Sequence, residues 1–168
     1  MFTRMSGIAF QRNNARETRI AGVTLVEMVI VLMVLGIMTA AAAPKFFDSL
    51  ARYRAEAAAN RIAHDLRLAR RHAEATSASQ SVIFNSPATH QYQTPGMDDP
   101  QRGGQTYTVN LAGEPFLAII VTASFDGDAT IVFDGYGVPD SGGSVTVQVG
   151  SHQKTVTVDA DSGKVDVS

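Results

Sequence analysis

Hydrophobic and polar positions alternate in three different ways along this chain. Val23 to Ala43 is a 21-residue run whose one charged residue is Glu27. As a helix rising 1.5 Å per residue it reaches about 32 Å, roughly one hydrocarbon core. Beyond Pro44 the apolar residues narrow to a stripe, Phe47, Ala51, Ala55, Ala58, Ile62, Leu66, Ala69 and Ala73, spaced by threes and fours. That spacing predicts an amphipathic helix continuing the first to about Ala75. Its other faces carry Arg52, Arg54, Arg61, Arg67, Arg70 and Arg71 with Glu56 and Asp65, which reads as a solvated surface.

After Thr76 the period drops to two. Strands are predicted at Gln80 to Phe84, Thr106 to Asn110, Phe116 to Thr122, Thr130 to Phe133, Ser144 to Val149, Thr155 to Asp159 and Lys164 to Val167. Val145, Val147 and Val149 alternate with Thr146 and Gln148, so that strand buries one face. Gly150-Ser151-His152-Gln153 predicts a hairpin connection. Residues 87 to 104, rich in proline, glycine and polar side chains, predict a long surface loop. The expected class is α+β.

Composition sharpens this division. The chain has 168 residues, 45% hydrophobic and only 18% charged, with no cysteine. Disulfide scaffolds, thiol nucleophiles and cysteine-ligated metal sites are therefore excluded. The net charge of −2 hides a strong asymmetry. Residues 1 to 22 carry Arg4, Arg12, Arg16 and Arg19 against Glu17, and residues 45 to 75 are also net basic. Residues 76 to 168 hold only Arg102, Lys154 and Lys164 against ten acids. Basic residues before the apolar run place the N-terminus in the cytoplasm and everything after Pro44 on the far side of the membrane.

A secretory signal peptide is one reading of the start, with Ala41-Ala42-Ala43 as its cleavage site. Its apolar core is too long for that, and Pro44 would directly follow the cut. A plain anchor leaves Glu27 unexplained, since a buried unpaired carboxylate costs on the order of a few kcal/mol. The sequence Gly22-Val23-Thr24-Leu25-Val26-Glu27, between a basic leader and an apolar helix, resembles the prepilin motif of type IV pilins and type II secretion pseudopilins. The resemblance implies cleavage by a membrane prepilin peptidase between Gly22 and Val23 and N-methylation of Val23, which stands where phenylalanine is usual. It also implies a filament-assembly role for Glu27, the fifth mature residue. Gly36 and Pro44 fall where such helices commonly carry glycine and proline. Pro44 lacks an amide hydrogen and is expected to kink the helix.

Near the other end, Phe133-Asp134-Gly135-Tyr136-Gly137-Val138-Pro139, two valine-threonine strands and Asp161-Ser162-Gly163-Lys164-Val165 resemble the GspH/FimT class of minor pseudopilins. The two resemblances together cover residues 22 to 85 and 130 to 168. They imply a type IV pilin-like α+β fold. A leader (1–22), a transmembrane helix (23–43) and an amphipathic helix (44–75) would precede a β-rich periplasmic head (76–168) of a bacterial inner-membrane protein. The implied role is a minor pseudopilin that initiates or caps a type II secretion pseudopilus. Its partners would be the prepilin peptidase, other pseudopilins or pilins, and the assembly platform. One alternative is a type IV pilus minor pilin of the FimT type with DNA-binding capacity. That branch is linked to arginines after the terminal glycine, whereas Gly163 here precedes Lys164-Val165-Asp166-Val167. With the acidic balance of the head, nucleic acid is not expected as a partner. A second alternative is a membrane-tethered periplasmic binding domain.

Little points to catalysis. His64, His72, His90 and His152 form no H-E-x-x-H spacing, and no serine sits in G-x-S-x-G. Asp126-Gly127-Asp128 and Asp134-Gly135 lack the twelve-residue calcium loop and read as turns. No enzyme activity, cofactor or metal is expected.

Overall fold

The computed structural model describes residues 22–85, 88–100 and 102–168, with the side chains of residues 41–44 outside the description. Nearly all of the leader therefore lies outside the described residues, as does the side chain of Pro44, on which the expected kink depends. One helix, α1 (Leu25–Thr76), is followed by eight strands: β1 (Gln80–Asn85), β2 (Gln91–Asp99), β3 (Arg102–Asn110), β4 (Ile119–Phe125), β5 (Thr130–Phe133), β6 (Gly143–Val149), β7 (His152–Val158) and β8 (Val165–Val167). This is the α+β, pilin-like arrangement. The chain divides into two compact units, Met1–Ala41 and Ala42–Ser168.

In the first unit α1 is apolar on every side and covered by nothing. Leu25 is 80% exposed and Met38 65%, and every described residue between them is exposed as well. A helix apolar all round is stable in water only when buried, so this segment requires lipid or other subunits. By length and hydropathy it can cross a membrane.

The second unit has an ordinary buried core. Two four-stranded antiparallel sheets, ordered β3-β2-β1-β5 and β4-β6-β7-β8, enclose it with the remainder of α1. Ala55, Ala58, Ile62, Leu66, Ala69 and Ala73 of the predicted stripe are all 0–1% exposed. Ala59 and Ala63 are buried as well, and this alanine-rich face lets strands approach closely. Val82, Phe84, Tyr92, Phe125, Phe133, Val145 and Val147 fill the sheet side, with Phe84 stacked on Phe125 at 5.8 Å between ring centroids. Phe47 corrects one end of the stripe: it is 66% exposed, because the buried face begins only where the sheets reach the helix.

Three other expectations change. The loop predicted over 87–104 contains β2 and the start of β3. Tyr92 and Thr94 alternate inward between β1 and β3, while Pro95 and Gly96 fall where the register shifts between Thr94 and Asp98. The breakers therefore mark a bulge rather than a loop, and the Gln80 side chain donates to the carbonyl of Pro95. The strand predicted at Phe116 starts at Ile119 instead, because Phe116 and Leu117 donate to Gly113 O in a turn. The β6–β7 connection is tighter than expected, with Val149 paired to His152 across Gly150-Ser151.

Asp65 is the largest departure. The solvated face assigned to it is wrong: it is 3% exposed. Its Oδ2 accepts from Tyr92 Oη at 2.5 Å, Tyr107 Oη at 3.0 Å and Arg61 Nε at 3.0 Å, and Oδ1 lies 3.1 Å from His64 Nδ1. Arg61 Nη2 also donates to the Tyr107 hydroxyl. A carboxylate buried among these donors fastens α1 to β2 and β3 and fixes the rotation of the helix against that sheet. Burial first, and then the adjacent carboxylate, pushes the Tyr92 phenol well above its ordinary value, and Tyr107 is raised for the same reasons. For Arg61, burial opposes the charge, but Asp65 and the two phenols more than offset it and hold its pKa raised.

Candidate functional site

The residues singled out in the sequence fall in two places, one in each unit. At the start of α1, Thr24 closes the helix: its hydroxyl accepts from Glu27 N at 3.2 Å and its carbonyl from Met28 N at 3.2 Å. This makes Thr24 the N-cap and Glu27 the third helical residue, the T-x-x-E pattern of a capping box. Sequence reasoning missed the cap, although the spacing was there to read. Glu27 is the acid of the first turn, where the positive end of the helix dipole favours a carboxylate. Gly22 is exposed with open space around its Cα, and Val23 is 67% exposed, so the backbone at the expected cut is accessible. Gly36 likewise meets nothing within 4 Å, which leaves its side of the helix open to a close neighbour.

In the second unit the two C-terminal motifs, 22 or more residues apart in sequence, meet at the last turns of α1. Asp134 builds the first: its Oδ1 accepts from Tyr136 N and Val138 N, both at 2.9 Å, and its backbone pairs with Val138 O and Gly137 N. Asp159 builds the second by accepting from Ser162 N at 2.8 Å and from the Ser162 hydroxyl. The Ser162 bonds hold the Asp159 carboxyl below its ordinary pKa. A Cβ on Gly137 (φ +78°) would collide with Glu74, and one on Gly163 (φ +62°) would lie 2.9 Å from Gly137 O. Both glycines are thus fixed by backbone conformation and by contact.

Arginines complete the junction. Arg67 Nη2 donates to Val165 O at 2.6 Å, and Arg70 donates to Gly163 O at 3.4 Å and to Glu74 Oε1 at 3.1 Å. Arg67, Arg70, Arg71, Glu74 and residues 163–166 line a groove of about 440 Å³. Arginines read earlier as a plain solvated face therefore tie the helix to the edge of β8. The remaining histidines are scattered: His90 Nδ1 accepts from Ile120 N at 3.2 Å, and His152 meets Asp48 at 2.8 Å. Among the described residues, no three His, Cys, Asp or Glu stand close enough to hold a metal. Asp126-Gly127 forms the tight turn expected of it, with paired backbone bonds between Phe125 and Asp128.

Most of the stretch that makes up this junction lies inside a family match. A family model described as type II transport protein GspH matches residues 58–163. The chain belongs to the GspH family. Its members are structural pseudopilins of type II secretion, and the uncovered apolar part of α1 fits their single-pass membrane anchor. The GspH match begins inside the amphipathic part of α1 and ends at Gly163, so it covers the buried stripe from Ala58 onward, strands β1 to β7, the first C-terminal motif and the second as far as its glycine. No curated protein and no solved structure matches the chain.

Proposed function

We propose that this GspH-family chain is a minor pseudopilin that helps to initiate or cap a periplasmic type II secretion pseudopilus. In this reading residues 1–22 are a cytoplasmic leader removed after Gly22, 23–43 span the inner membrane, 44–75 continue the helix, and 76–168 form the periplasmic head. The observation that carries it is the uncovered apolar helix whose one charge, Glu27, stands in its capped first turn. Cleavage creates a cationic amine at Val23. When subunits pack side by side, that amine and the Glu27 carboxylate of a neighbour neutralise each other. Either charge buried alone costs several kcal/mol, so the pair selects one register among many apolar packings. Lateral partners are other pseudopilins, and the filament grows on the secretion platform.

Co-expression with a prepilin peptidase tests the first step. Intact mass is expected to show a product beginning at Val23, with Gly22→Val uncut; a product beginning at Pro44 would restore the signal-peptide reading. Glu27→Ala is expected to insert and to be cut normally, yet to fail in assembly. Normal secretion by that variant in a strain lacking the wild-type copy overturns the charge-pairing role.

A further inference from the structure

The groove at the end of α1 holds more positive charge than its surroundings neutralise. Four cations line it, Arg67, Arg70, Arg71 and Lys164, with two acids, Glu74 and Asp166. Arg70 pairs with Glu74 at 3.1 Å and Lys164 with Asp166 at 2.8 Å. Arg67 and Arg71 have no acidic partner among the described residues. They are four apart on one helix, a spacing at which like charges repel by a few tenths of a kcal/mol. The bond from Arg67 to Val165 O orders its guanidinium but cancels no charge, since a carbonyl is neutral. Two forked cations four residues apart, one of them ordered, thus line the groove with their charge unanswered, which suits a carboxylate or a phosphate gripped in two-point fashion.

The neighbouring surface favours a protein as the source of that anion. Tyr136 is 87% exposed, and the next residue, Gly137, lies against both Glu74 and Gly163 of the groove. An exposed tyrosine one residue along the chain from the groove, together with the arginines that line it, supplies the residue types enriched in interface hot spots. Outside the groove, residues 76–168 carry nine acids against two basic residues. Such a field repels a long polyanion, and two uncompensated cations are too few for the row of phosphate contacts a duplex needs. A short acidic segment of a protein requires no more than the groove provides.

We propose that this groove, with Tyr136 exposed one residue beyond its Gly137 contact, docks a carboxylate-bearing segment of a neighbouring filament subunit, a reading that rests on the filament function above. Pairing at the head then adds to pairing at Glu27, and each fixes a different part of the subunit.

Full-length processed protein in detergent micelles is titrated with fluorescein-labelled hexaglutamate, with hexaglutamine and a 20-base-pair DNA duplex as comparison probes. Hexaglutamate is expected to bind and hexaglutamine not to. Arg71→Glu is expected to weaken binding at least about tenfold, as loss of a charge-assisted contact would, and Arg71→Lys much less. Arg71 is exposed and unpaired, so the fold is expected to tolerate both changes. In cells, a photo-crosslinking amino acid in place of Tyr136 is expected to capture an acidic peptide of another subunit, and Arg71→Glu to abolish the capture. Equal binding of hexaglutamate by wild type and Arg71→Glu overturns the proposal, as does duplex DNA binding more tightly than hexaglutamate. The titration does not involve the N-terminal helix end. Its failure removes the groove and leaves the filament reading standing. An uncut Gly22 removes the filament reading, and with it the filament subunit as occupant, while the groove's hexaglutamate binding is read independently.

Discussion

Two acids on the same helix, Glu27 and Asp65, sit in opposite circumstances. Glu27 is surrounded by exposed apolar side chains, and its backbone N–H donates to the Thr24 hydroxyl. Asp65 is buried and takes three hydrogen bonds at one oxygen from Tyr92, Tyr107 and Arg61. The second unit pairs its buried acid internally; in the first, the Glu27 side chain has no hydrogen-bond or ion-pair partner among the described residues and the apolar surface is uncovered. On the proposed function, stability and assembly are thereby separated along one helix. Mutations in the core of the head should act on folding, and mutations near the start or in the groove at the end of α1 should act on association.

The strongest challenge to that separation lies in the core. Leu66→Asp places an unpaired charge at a 1% exposed position, and Asp65→Ala strips the partner from two phenols and a guanidinium. Each is expected to cost about 3–5 kcal/mol, read as a fall in the urea midpoint of the head, while membrane insertion and leader cleavage are unchanged. Wild-type stability in Asp65→Ala would mean that the cluster does not hold the helix to the sheet.

Alkaline pH probes the same cluster more gently. Below pH 10, the ordinary value for tyrosine, both folded and unfolded chains keep their phenols protonated. Above it the unfolded chain ionises while the raised Tyr92 and Tyr107 do not. Stability is therefore expected to be full below about pH 10 and to fall as pH rises toward the folded values. Tyr92→Phe is expected to lose about 1 kcal/mol at neutral pH and to flatten the alkaline slope. An unchanged slope in that variant would place the alkaline transition elsewhere.

The smallest effect concerns the helix end. Arg67 is exposed, but its bond to Val165 O makes it more than a solvent-facing charge. Arg67→Asp is expected to cost about 1 kcal/mol, well below Leu66→Asp one residue earlier. Equal loss from the two substitutions would show that the buried face of α1 is misassigned.

Periodicity alone made much of this molecule legible. The stripe Ala55 to Ala73 had to lie against something, because its spacing puts every member on one face, and the valine alternation of β6 and β7 fixed which side turned inward. The bilayer-length run, the glycine before it and Glu27 within it are also local patterns. They carry the expected processing and assembly chemistry without reference to any distant contact. What the sequence concealed depended on residues far apart in the chain. Asp65 looks like a surface acid until Tyr92 and Tyr107, 27 and 42 residues later, bring their hydroxyls to it. Pro95 and Gly96 look like loop formers until flanking strands turn them into a bulge. Arg67 and Arg71 look equally solvated until the edge of β8 orders one and leaves both without a counter-charge. Apolar spacing is a property of neighbours along the chain and is written in the sequence. Whether a polar side chain is paid for by a partner is decided only when the tertiary fold brings that partner within 3 Å.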